Sequence, residues 1–217
     1  MNVRIKVCCI SSVEEARMAI DHGADALGLV GKMPSGPGPI ADDIIAAIAR
    51  KIHPHISSFL LTSEQTTNGI INHLKRTNTS TVQIVDELLD GNYNEIRVSI
   101  PSILIVQVIH ITGKESIEQA LLVQRHVDAL LLDSGNPKAA IKTLGGTGNI
   151  HDWEISRQLI KEVQVPVFLA GGLNACNVKQ AIDIVQPFGV DVCSGVRTEG
   201  KLDPFKLDAF VKAVYSV

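Results

Sequence analysis

Short apolar runs alternate with helix-periodic segments eight times along this chain, and that alternation constrains the fold more than any other feature. The runs are Val3–Cys8, Ala24–Val30, Ile56–Leu61, Thr81–Val85, Ile103–Ile111, Val127–Leu132, Val167–Ala170 and Val190–Cys193. Most are continuously apolar, as strands buried on both faces are. Between them apolar residues recur at helical spacing: Ile44, Ile45, Ile48 and Ile52; Ile70, Ile71 and Leu74; Ile117, Ala120 and Leu121; Ile155, Leu159, Ile160 and Val163; Val178, Ala181, Ile182 and Val185; Leu207, Phe210, Val211 and Val214. Ser11/Glu14 or Ser12/Glu15 forms a capping box for a first helix ending near His22. Asn174 is the expected N-cap of the seventh, and Asp203-Pro204 opens the last. Residues 86–102 are the least legible; a brief helix over 92–98, stopped by Pro101, fills them.

Alternating strands and helices imply parallel pairing. Eight units in 217 residues predict an α/β protein, a (β/α)8 TIM barrel spanning residues 1–217 as one domain, at the small end of that fold's range. The rival is an open doubly wound sheet. Its dinucleotide-binding form wants G-x-G-x-x-G after the first strand, and Cys8-Cys9-Ile10 is nothing like it.

Totals exclude several function classes. A net charge of −3 without clustered Lys and Arg speaks against a nucleic-acid surface. No apolar run reaches membrane-spanning length. The chain enters its first strand with no secretory or transit pattern, so a cytoplasmic protein is expected. Cys8, Cys9, Cys176 and Cys193 show no C-x-x-C spacing and no companion His pair, so no metal site is expected, and free thiols in a reducing compartment follow. The seven histidines are scattered and read mostly as surface or helix-end residues.

In a barrel of this kind chemistry sits at the C-terminal ends of the strands. Gly171-Gly172 ends the seventh strand and Ser194-Gly195 the eighth. Adjacent glycine-bearing turns let backbone N–H groups approach and cradle an anion, a phosphate monoester above all; plain structural turns are the alternative. A short helix starting at Gly195 would add to the cradle. Cys8 closes the first strand. It reads either as a thiolate base or nucleophile or as a small buried hydrophobe. Asp133 ends the sixth strand. It reads either as a general acid whose pKa burial raises or as a turn cap. Lys6 shares a strand face with Cys8 and supplies positive charge if that face is the barrel interior. Asp191, inside strand eight, reads as a structural pairing residue.

Six stretches, in order, carry a resemblance: Lys6-Val7-Cys8; Gly23 to Gly28; Leu131-Leu132-Asp133-Ser134; Gly145-Gly146-Thr147-Gly148 with Asp152-Trp153; Leu169 to Asn174 with Asn177-Val178; and Val190 to Val196. Together they resemble the phosphoribosylanthranilate isomerase family, from the first strand to the last helix. The resemblance implies an aldose–ketose isomerase of tryptophan biosynthesis. Its reaction is an Amadori rearrangement of N-(5′-phosphoribosyl)anthranilate to 1-(o-carboxyphenylamino)-1-deoxyribulose 5-phosphate, with no cofactor and no metal. It makes Asp133 the general acid and Cys8 the general base, and gives the phosphate to Gly171, Gly172, Ser194 and Gly195. Lys6, Gly146 and Arg197 become candidate substrate contacts, and the partner a small phosphorylated molecule bound by a monomer or homodimer.

The departures from the pattern are specific. The family's Gly after the cysteine is Cys9. Its Ser-Pro-Arg after strand two, where arginine grips the anthranilate carboxylate, is Ser35-Gly36-Pro37-Gly38-Pro39. Its Gln-Leu-His-Gly is Gln83-Ile84-Val85-Asp86, and its Ser-Gly-Val-Glu is Ser194-Gly195-Val196-Arg197. Losing a bidentate arginine weakens carboxylate binding unless Arg197 or Lys32 substitutes. Two other readings stand beside the isomerase: a diverged barrel enzyme for another phosphorylated sugar or amine, and a non-catalytic binder of phosphorylated ligands.

Overall fold

A computed structural model describes residues 3–135 and 150–216. Eight parallel strands close into a barrel in chain order: β1 (Arg4–Val7), β2 (Ala26–Val30), β3 (Ser57–Thr62), β4 (Thr81–Ile84), β5 (Leu104–His110), β6 (Ala129–Asp133), β7 (Val167–Leu169) and β8 (Gly189–Val192). The ring is sealed by β1 against β8, with Val7 opposite Val192. Helices follow each strand: α1 (Val13–Asp21), α2 (Asp42–Lys51), α3 (Thr67–Thr77), α4 (Tyr93–Ser99), α5 (Glu115–Val123), α6 (Trp153–Glu162), α7 (Val178–Val185) and α8 (Pro204–Tyr215).

Two cores result. Between sheet and helices lies an aliphatic layer built from the predicted helix stripes and alternate strand residues, with Phe210 of α8 fully buried in it. Each such side chain contributes on the order of 1.5–3 kcal/mol. Inside the ring lies a second core, with Phe59, Leu61, Val106, Leu131 and Phe168. Here polar groups intrude: Lys6, Gln83 and Asp191 are buried among these strands. An aliphatic outer layer and a polar-studded interior give the fold its stability and its chemistry in separate places.

Local chemistry sets the boundaries. Ser12 caps α1, its side chain accepting from the Glu15 N–H at 3.2 Å, while Glu15 reaches back to the Ser11 N–H at 3.0 Å. Thr66, Asn92, Asp152 and Asp203 cap α3, α4, α6 and α8 in the same way. The brief fourth helix is real, and Asn92 is its cap rather than its first turn.

The expected cap of α7 is corrected: Asn177, not Asn174, occupies that position. Asn174 instead caps the turn that leads into the helix, its Oδ1 accepting from the Cys176 N–H at 2.9 Å, and both asparagine side chains also reach the preceding loop. Asn177 accepts from the Asn174 N–H at 2.8 Å and donates to the Gly172 carbonyl at 3.0 Å, which Asn174 also reaches at 3.3 Å. Ile44 falls off the α2 stripe and is exposed. A two-stranded ribbon, β9 (Arg197–Thr198) and β10 (Lys201–Leu202), follows β8. Elements of two residues leave no periodic trace in a sequence.

Candidate active site

The C-terminal ends of the strands surround an open cleft lined by Cys8, Gln83, Asp133, Gly171, Gly172 and Ser194 among others, with about 700 Å³ of space once open solvent at its mouth is counted. Cys8 stands just past the end of β1, its N–H donating to the Val192 carbonyl at 2.8 Å. Asp133 is the last residue of β6. The ring brings these two, 125 positions apart in the chain, to one cleft.

Lys6 lies one layer beneath. Its ammonium is completely buried, donates to Asp191 at 2.9 Å and sits 5.2 Å above the Phe59 ring. Burial pulls this ammonium toward neutrality. The Asp191 carboxylate, with the Cys8 sulfur behind it, overcomes that and holds the group above the ordinary lysine value. Gly28 explains how sulfur and ammonium come close: a Cβ there would lie 2.7 Å from the Cys8 sulfur and 3.0 Å from the Lys6 nitrogen. Lys6 therefore faces the interior, as expected on that alternative, and Asp191 is its partner.

Asp133 accepts the Ser134 N–H at 2.7 Å. Burial pushes its carboxyl above the usual carboxylate range, and the Ser134 hydrogen bond and the neighbouring His110 offset this only in part. A carboxyl group so placed keeps its proton to higher pH, which is what a general acid requires.

The two glycine turns meet at the far side of the cleft. Gly171 and Gly172 adopt left-handed φ of 83° and 64°, conformations that favour glycine. The turn after β8 is a single 3₁₀ turn, Ser194–Val196. Gly195 is not among the residues lining the cleft. A Cβ there would meet the Leu173 carbonyl oxygen at 2.0 Å, so its missing side chain lets the two turns pack together. Ser35, Gly36, Pro37 and Met33, from the loop after β2, form an outer wall.

Arg197 does not line the cleft. Its guanidinium makes a two-pronged ion pair with Glu15, both contacts 3.1 Å, and donates to the carbonyls of Cys9 at 2.5 Å, Cys8 at 3.3 Å and Gly200 at 2.9 Å. It ties the ends of β1 and β8 together, and these bonds occupy both terminal nitrogens, leaving only a buried Nε without a partner. Lys32 is exposed at the base of the β2 loop. Gly146, with the whole 145–148 glycine run, lies outside the described residues.

Sequence reasoning passed over two buried groups. Gln83 of β4 points a carboxamide into the cleft, and its Oε1 has no hydrogen-bond partner. His110 ends β5 opposite Asp133 and donates from Nε2 to the Val85 carbonyl at 2.9 Å, leaving Nδ1 unpartnered. His73 is also buried, between Thr62 and Asp42. Among the described residues no group of three or more His, Cys, Asp or Glu could hold a metal ion.

Comparison with known proteins agrees with this geometry. The sequence profile of the family described as N-(5'phosphoribosyl)anthranilate (PRA) isomerase matches residues 5–213. The N-(5'-phosphoribosyl)anthranilate isomerase 2 of Methanosarcina mazei is 37% identical over 96% of this chain and 92% of its own length. The N-(5'-phosphoribosyl)anthranilate isomerase of Methanocella arvoryzae is 30% identical over 94% and 93%. Among solved structures, the phosphoribosyl anthranilate isomerase of Thermotoga maritima superposes with a TM-score of 0.81 at 27% identity, covering 99% of this chain and all of that one. A phosphoribosyl anthranilate isomerase in complex with reduced 1-(o-carboxyphenylamino)-1-deoxyribulose 5-phosphate superposes with a TM-score of 0.77 at 25% identity, over 99% and 100% of the two chains. The chain belongs to the N-(5'-phosphoribosyl)anthranilate isomerase family.

Proposed function

We propose that this protein isomerises N-(5′-phosphoribosyl)anthranilate to 1-(o-carboxyphenylamino)-1-deoxyribulose 5-phosphate, a step of tryptophan biosynthesis, with Asp133 and Cys8 as its acid and base. The observation that carries the reading is a single cleft holding both groups beside two glycine turns. Asp133 gives its proton to the ribose ring oxygen, the ring opens, and the anilino nitrogen becomes a Schiff base. The Cys8 thiolate then takes the C2 proton, and the resulting enolamine tautomerises to the ketone. The phosphate docks on the backbone of Gly171, Gly172 and Ser194, where left-handed Gly171 and Gly172 turn N–H groups outward, and Gly195 holds the two turns together. Met33, Leu61 and Val85 offer the apolar wall that an anthranilate ring needs. Lys32, on the loop beside them, takes the carboxylate as a point charge. The enzyme acts in the cytoplasm, as a monomer or a homodimer.

The test is turnover of freshly prepared N-(5′-phosphoribosyl)anthranilate, followed by loss of its fluorescence. Expected is a kcat/KM in the ordinary enzyme range of roughly 10⁴–10⁸ M⁻¹s⁻¹. An enzyme inert toward this substrate but active on another phosphorylated aminoaldose would transfer the reading to a diverged barrel enzyme. The absent arginine on the β2 loop is the feature that favours that second reading.

A further inference from the structure

Three of the four cysteines converge on the cleft, and the acid–base reading uses only one. Register sets this up. Val7 of β1 faces Val192 of β8, so the next residues, Cys8 and Cys193, emerge side by side, with Cys9 one step further. Cys8 and Cys9 are buried in the interior core, and Cys193 packs against it. Cys8, Cys9 and Cys193 all border the cleft, and all are free thiols.

Cys9 holds its place at a cost. Its φ is +62°, a left-handed conformation that costs a residue with a Cβ on the order of 1–2 kcal/mol. The β2 loop closes over its other side. The thiol lies 3.7 Å from the Pro37 carbonyl, and a Cβ on Gly38 would lie 2.7 Å from the Cys9 Cβ. That loop covers one side of Cys9, while Cys8 and Cys193 border the same cleft on the other.

We propose that Cys193 and Cys9 form a thiol oxidation site at the mouth of the cleft, where a hydroperoxide converts them to a disulfide. Cys193 is the attacking thiol and Cys9 the resolving one. The Cys193 thiolate attacks the O–O bond of the hydroperoxide. An S–O bond forms and the O–O bond breaks. The departing oxygen takes a proton and leaves as water or an alcohol, and the peroxide is reduced by two electrons. Cys9 then displaces the hydroxyl group of the Cys193 sulfenic acid. The S–S bond forms, the S–O bond breaks, and the Cys9 proton leaves with the hydroxide as water. A dithiol reductant reverses the change by exchange.

The division of roles follows from the surroundings. Cys193 is half-buried with solvent access through the cleft. The neighbouring Cys9 thiol lowers its pKa; burial and the Asp191 carboxylate oppose that, and the nearby Arg197 and Lys6 charges add to the lowering. Cys9 is deeply buried, and the neighbouring Cys193 and Cys8 thiols together with that burial push its pKa up and keep it protonated. The resulting bridge would pin the β1 end to the β8 end directly beside Cys8.

The test treats the reduced protein with hydrogen peroxide, blocks remaining thiols with an alkylating agent and maps the peptides by mass. The expected product is a Cys9–Cys193 bridge, with Cys8 and Cys176 alkylated. Turnover falls at least tenfold and returns with dithiothreitol. In Cys9→Gly, which suits the left-handed backbone, no bridge forms and dimedone traps a sulfenic acid at Cys193. A bridge that includes Cys8, four alkylated thiols after oxidation, or sulfinic acid at Cys193 without a bridge would overturn the proposal. The peptide map stands on the thiol geometry alone; only the activity readout rests on the isomerase reading.

Discussion

Replacing Lys6 by Met should destabilise this protein severely, and the structure says by how much. The ammonium is fully buried and its Asp191 partner nearly so, 2.9 Å away. Removing one member of a buried pair strands the other charge in the interior, at about 3–5 kcal/mol. In a chain of this size each kcal/mol moves the melting temperature by about 2–4 °C, so a fall on the order of 10 °C is expected. Asp191→Asn should cost a similar amount, whereas the double replacement Lys6→Met, Asp191→Leu should recover most of it. The pH dependence has a definite sign. The folded Lys6 pKa is raised above its ordinary value, so its contribution is complete below the unfolded lysine value of about 10.4. It disappears only as pH rises beyond that, through the folded value. The gap between wild type and Lys6→Met, measured by urea denaturation, should be flat from pH 7 to about 10 and narrow above. Single variants within about 1 kcal/mol of wild type, or a gap that closes near neutrality, would refute the argument.

Other perturbations separate stability from chemistry. Asp133→Asn should be more stable than wild type at pH 7, by about 0.5–2 kcal/mol, because a strained site group is removed. The raised folded pKa of Asp133 means the burden is absent below the unfolded value of about 3.9 and grows as pH climbs through the folded one; the two melting curves should therefore converge near pH 4. Gly195→Ala drives a Cβ to 2.0 Å from the Leu173 carbonyl oxygen, so the two phosphate turns must part. KM should rise at least tenfold, with folding retained by circular dichroism. Arg197→Met should cost about 2–3 kcal/mol in denaturant, short of the ~3–5 for a fully buried pair, because Glu15 and Arg197 retain slight exposure. Its KM should stay within about twofold of wild type, since the guanidinium serves Glu15 and backbone carbonyls rather than the cleft.

Much of this architecture is legible in the chain because barrel strands buried on both faces leave unbroken apolar runs, and each outer helix leaves one stripe. Boundaries written in capping chemistry, Ser12 with Glu15 and Asp203 with Pro204, could be read too. The β9–β10 ribbon could not, because its turn depends on left-handed Glu199 and Gly200 rather than on any periodicity. At the site, Cys8 and Asp133 were readable as strand-end residues. Arg197 was not: nothing in Ser-Gly-Val-Arg reveals that Glu15, 182 positions earlier, waits for the guanidinium. Gln83 and His110 escaped notice for a related reason. A polar residue in an apolar strand declares its importance only when its hydrogen bonds can be counted. The thiol cluster likewise required the register of β1 against β8, which no local motif encodes.

The central claim is that one thiol and one carboxyl group perform the chemistry while separate turns hold the phosphate. It is tested most directly by measuring binding and turnover together in Cys8→Ser and Asp133→Asn, with reduced 1-(o-carboxyphenylamino)-1-deoxyribulose 5-phosphate as the binding probe. The account predicts dissociation constants within about fivefold of wild type and a kcat at least 10²-fold lower in each variant, the minimum expected when a general acid or base is removed. Turnover that survives both substitutions, or binding that collapses with it, would contradict the account.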